Sequence, residues 1–104
     1  MFFGVLPFGC IGVRHLKLIN SATGQADSGR IIQAESTDPK HALASIVGGG
    51  KMLRVAFRAV GVHGQISGRF LVTVQHRGTQ YLFREDYLGY VCGKEDANGN
   101  AGSR

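Results

Sequence analysis

KMLRVAFRAVGVHGQISGRFLVTVQHRGTQYLFREDYLGYV, residues 51–91, alternates apolar and polar side chains between glycine turns. Residues 51–60 put Leu53, Val55, Phe57 and Ala59 on one side of an extended chain and Met52, Arg54, Ala56, Arg58 and Val60 on the other, because successive side chains in a strand point to opposite faces. Residues 61–64 read as a turn, and 65–67 as a short strand ended by a turn at Ser67-Gly68. Residues 69–84 read as a hairpin with Arg77-Gly78 as its two-residue loop, glycine supplying a positive φ. That loop sets His76 opposite Thr79, Val74 opposite Tyr81 and Val72 opposite Phe83, so the apolar pairs share a core face. Leu71, Thr73 and Gln75 fall on the other face, against Arg84, Leu82 and Gln80. Glu85-Asp86 breaks the apolar rhythm before a last short strand or closing turn at 87–91.

Upstream, residues 13–19 and 30–35 read as two short strands joined by the polar loop 20–29, an N-terminal strand pair. Residues 36–50 carry helix punctuation. Asp38 suits the cap, Pro39 the first helical position and Gly48–Gly50 the stop, with Ala42, Leu43, Ile46 and Val47 on one helical face. The expected fold is α+β: a strand pair, one short helix packed on a sheet, and a C-terminal antiparallel meander of three to four strands. Residues 1–93 are expected to form a single domain, and 94–104, with no hydrophobic side chain larger than alanine, a flexible tail. The segment GQISGRFLVTVQHRGTQYLFREDYL resembles the strands of a small SH3-like barrel, and that resemblance implies a barrel able to bind nucleic acid or peptides.

The N-terminal MFFGVLPFGCIGV lacks a basic leading segment and is broken by Gly4, Pro7, Gly9 and Gly12, so it reads neither as a signal peptide nor, ending at Arg14, as a membrane span. It is expected to pack on the core. The functional alternative is an apolar patch for a homodimer or a partner protein, anchored by Phe2, Phe3, Leu6 and Phe8. Cys10 and Cys92 form no zinc pattern and read as buried free thiols; a cytoplasmic location is the matching expectation.

Charge is the strongest functional signal. The 104 residues carry 12 Lys and Arg against 7 Asp and Glu, a formal charge of +5. Between Pro39 and Arg84 there is no carboxylate, while Lys40, Lys51, Arg54, Arg58, Arg69, Arg77 and Arg84 all lie there. If the strands are neighbours in one sheet, Arg54, Arg58, Arg69 and Arg84 converge on its outer side. Arginine offers a planar fork of donors and a permanent charge, which suits phosphate. The expected anion-binding set is therefore Arg54, Arg58, Arg69, Arg77, Arg84 and Lys51.

Catalytic readings are thin. Gly48-Gly49-Gly50-Lys51 lacks the spacing and context of a phosphate loop, and His15, His41, His63 and His76 have no metal-binding spacing. No cofactor is expected. The leading expectation is a non-enzymatic binding module that contacts nucleic acid or a nucleoprotein. The alternative is a small accessory or inhibitor protein, of the phage or viral antagonist kind, that occupies an acidic surface of a partner protein.

Overall fold

The computed structural model describes residues 1–19, 28–61 and 63–93. Among these residues, seven strands follow one another: β1 (Phe2–Pro7), β2 (Ile11–Lys17), β3 (Arg30–Ser36), β4 (Ala42–Val47), β5 (Met52–Arg58), β6 (Gly64–His76) and β7 (Thr79–Cys92). They form a four-stranded sheet in the order β1-β7-β6-β3 and a three-stranded sheet in the order β2-β5-β4. All pairings are antiparallel except β1 with β7. The expected α+β fold is thus corrected to a nearly all-β one. The two sheets pack as open layers, which also replaces the SH3-like barrel.

The expected helix is β4 followed by a single 3-10 turn at Gly48–Gly50. Asp38 accepts backbone hydrogen bonds from His41 and Ala42, which closes a turn, and the chain then extends. Ala42, Ala44 and Ile46 lie opposite Phe57, Val55 and Leu53 of β5, while Leu43, Ser45 and Val47 fall on the other side. The apolar run fits both periods, and pairing with β5 satisfies backbone groups that an isolated short helix would hold only marginally. Gly48, Gly49 and Gly50 all have positive φ, so the triplet reverses the chain between two strands and is not a helix stop.

The N-terminal strand pair is likewise corrected. β2 joins β5 in the second sheet, and β3 joins β6 in the first. The C-terminal hairpin has the expected turn and register, with both Arg77 (φ 52°) and Gly78 (φ 80°) left-handed. It is much longer than expected. Ser67-Gly68 is continuous strand opposite Leu88 and Tyr87, and Glu85-Asp86 continues the ladder instead of ending it. Residues 94–104, the expected tail, lie outside the described residues.

The core sits between the sheets. Phe3 of β1 stacks on Phe57 of β5 at 5.4 Å, and Tyr87 of β7 meets Phe57 at 6.2 Å and Phe70 of β6 at 5.0 Å. Burying a ring of this kind contributes about 1.5–3 kcal/mol. Gly89 makes room for it: a Cβ there would stand 2.6 Å from the Phe57 ring. Gly68 does the same for the Tyr87 hydroxyl. Phe3 and Phe8 are buried, Leu6 is half-buried and Phe2 is exposed, so two of the four expected docking anchors serve the core. Both cysteines are free, but Cys10 is exposed and Cys92 only partly covered, which corrects the expectation of two buried thiols.

Candidate nucleic-acid interface

β5 is the middle strand of the second sheet, so its two faces are fixed by two neighbours. Leu53, Val55 and Phe57 point into the core, and Arg54 and Arg58 stand exposed on the outer face. Register completes that face. His15 of β2 lies beside Arg54, Lys17 beside Met52 and Ile11 beside Arg58. On the other flank, Ser45 lies beside Arg54 and Leu43 beside Ala56. Neither β2, β4 nor β5 contains a single Asp or Glu. Arg54 and Arg58 are four residues apart, about 13 Å along a strand.

The Arg58 Nη2 donates to the Lys40 carbonyl at 3.2 Å, which sets the turn after β3 at the end of this face. Among the described residues, neither Arg54 nor Arg58 meets a carboxylate. Arg14 is on the inner side of β2. It donates to the Phe3 carbonyl and lies 5.6 Å from the Phe3 ring centre, sealing the edge of the core.

The six residues expected to bind anions are dispersed. Arg54 and Arg58 share the outer face of the second sheet. Arg69 and Arg84 are on the outer face of the first, so the four arginines do not meet. Arg69 Nε donates to Asp86 Oδ1 at 2.7 Å, and Arg84 lies across from Leu71, which has Glu35 as its other neighbour. Arg77 is at the hairpin tip. The Lys51 Nζ donates to the Gly29 carbonyl. His15 and Lys17 are the additions that sequence reasoning missed. Their alternation in residues 13–19 was visible, but the partner strand that brings them beside Arg54 lies far along the chain.

Among the described residues, no Phe or Tyr ring lies on the outer face of the second sheet. Phe3, Phe57, Phe70 and Tyr87 fill the core, and Tyr90 meets His63 edge-on in the first sheet. The face therefore offers charge and hydrogen-bond donors, with the His15 imidazole but no larger ring on which bases could stack.

Other groups are held in local networks. His41 is buried, with Nδ1 donating to Asp38 Oδ2 at 2.7 Å and Nε2 facing the Val60 carbonyl at 3.0 Å. The hydrogen bond from His41 holds the Asp38 carboxyl below its ordinary range, against the opposing effect of burial. Burial pushes the Tyr87 hydroxyl up, and the charge of Asp38 adds to this while Ser36 opposes it. His63 Nδ1 donates to the Gly93 carbonyl. Among the described residues, no three His, Cys, Asp or Glu side chains gather as a metal site. A groove of about 590 Å³ opens between the sheets at the hairpin end, lined mainly by apolar side chains such as Leu16, Leu18, Val74 and Phe83. Among the described residues, no helix is long and apolar enough to cross a membrane. Compared with protein-family models, curated proteins and solved structures, the chain matches none.

Proposed function

We propose that this protein is a non-enzymatic binding module that contacts the phosphate backbone of nucleic acid with the outer face of its β2-β5-β4 sheet. The observation that carries the reading is that three adjacent strands hold Lys17, His15, Arg54 and Arg58 and no carboxylate. Backbone phosphates are recognised by such donors without regard to sequence, and each neutralised phosphate releases counterions. The lack of outward Phe or Tyr side chains on these strands favours backbone contact over base stacking. The test is salt-titrated binding to generic DNA and RNA duplexes. Binding should be measurable at low salt and fall as salt rises. Loss of Arg54 and Arg58 to alanine should weaken it at every sequence and flatten the salt slope by about two. No binding at low salt, or an unaffected double variant, contradicts the reading.

A second reading rests on the apolar residues of the same face. Ile11 and Leu43 are exposed beside the arginines. Apolar and cationic groups side by side suit an acidic protein surface, which a small accessory or inhibitor protein would occupy. Capture of a protein partner that survives nuclease treatment and is lost in Leu43→Glu favours this reading; capture abolished by nuclease favours the first.

A further inference from the structure

The cations of the β2-β5-β4 face are unevenly spread. Strand register sorts its outward side chains into rows about 7 Å apart along the strands. The first row is Lys17, Met52 and Val47, and the next is His15, Arg54 and Ser45. Then comes an apolar row, Val13, Ala56 and Leu43, and beyond it Ile11 and Arg58. Directly opposed side chains on antiparallel neighbours have Cβ atoms about 4.5–5.5 Å apart, and diagonal ones stand about 7–8 Å apart. His15 and Ser45 therefore flank Arg54 on its two sides, and Lys17 is its diagonal neighbour. Arg58 stands apart, on the far side of the apolar row.

Lys17, His15, Arg54 and Ser45 are all exposed. Among the described residues, no side-chain hydrogen bond or ion pair engages any of them. Glu85, which lines the groove between the sheets together with His15 and Lys17, belongs to the first sheet. The cluster thus gathers donors from three strands around one point and leaves their charge unmatched.

A run of backbone phosphates presents single charges at regular intervals, which an evenly spaced row of cations would match. A phosphomonoester is different. It carries about −1.5 to −2 charge at pH 7 and three strong acceptor oxygens. Lys17 and Arg54 together bring a matching positive charge, and Arg54 adds a planar fork of donors. His15 contributes a ring N–H and Ser45 a hydroxyl. Both the charge and the number of donors fit a monoester better than a diester.

We propose that Lys17, His15, Arg54 and Ser45 bind the terminal phosphate of a nucleic-acid strand. The strand then crosses Val13, Ala56 and Leu43, whose side chains face its sugars, and Arg58 meets a phosphate farther along its backbone. This assignment rests on the reading of the face as a nucleic-acid interface and names the part of the strand that the face holds most tightly.

Isothermal titration calorimetry of the full chain at low salt tests it, with strands of one short sequence ending in hydroxyls, in a 5′-phosphate or in a 3′-phosphate. At least one phosphorylated strand should bind about tenfold tighter than the hydroxyl strand, because charge-assisted hydrogen bonds are the strong ones. Arg54→Ala and Ser45→Ala should each bring that ratio toward one. Arg58→Ala should weaken all three strands alike and keep the ratio. Equal binding of the three strands overturns the proposal and leaves the nucleic-acid reading of the face standing; no binding of any strand overturns both. A ratio that survives Arg54→Ala, or that is lost in Arg58→Ala, places the terminal phosphate elsewhere and overturns the proposal. A phosphoserine peptide that binds as tightly as the phosphorylated strand assigns the cluster to a protein ligand and overturns the strand end as its source.

Discussion

Phe57 and Gly89 show how single residues set the spacing of the two sheets. The Phe57 ring is fully buried and reaches across to Gly89, where a Cβ would stand 2.6 Å from it. Gly89→Ala should overpack the contact and cost about 1–3 kcal/mol, and Phe57→Ala should leave a cavity and cost about 3–5 kcal/mol. Both are read from urea titrations; a loss below a few tenths of a kcal/mol in either would show that the sheets do not meet at this point. Asp38 gives a pH dependence. Its carboxyl is held below the ordinary range by the His41 hydrogen bond, so it stabilises the fold above its unfolded value, and that contribution disappears as pH falls through the folded value. Asp38→Asn should lower stability at neutral pH and have no such effect below the carboxylate range. Asp38 is more than a third exposed, which keeps the effect modest. An equal deficit at both ends of the pH range would assign the loss to the turn itself.

At the level of elements, legibility followed sequence distance. The β6–β7 register could be read because Arg77-Gly78 fixes the turn and the apolar pairs agree with it. Alternation in β5 could be read because its burial pattern is regular: Leu53, Val55 and Phe57 in, Arg54 and Arg58 out. The partners of β2 and β3 could not, since each pairs with a strand more than thirty residues away and no local signal names it. Ala42–Val47 reads as helix in sequence because its apolar residues fit a helical face as well as an alternating one, and Asp38-Pro39 and the glycine triplet punctuate a hairpin as readily as a helix. Far-UV circular dichroism of the purified chain should accordingly show strand with no helical signature; a clear helical band would restore the α+β reading. The candidate face inherited the same limit. Arg54 and Arg58 were found from their own strand, whereas His15 and Lys17 needed the β2–β5 register.

Across the whole molecule, the two sheets differ in charge. The first presents Arg69 paired with Asp86, and Glu35 near Arg84, so its outer face is mixed. The second carries cations alone. The chain's formal charge of +5 is therefore not spread evenly, and long-range attraction of an anion should orient it toward the second sheet. Replacing Arg69 and Arg84 by alanine should leave nucleic-acid affinity within about twofold, while the Arg54 and Arg58 pair should lower it by tenfold or more at low salt. The most direct measurement is an NMR titration of the labelled protein with a short generic duplex. Shifts concentrated at His15, Lys17, Arg54 and Arg58 are the predicted result. Shifts confined to Arg69, Arg84 and their neighbours, or none at low salt, would contradict it.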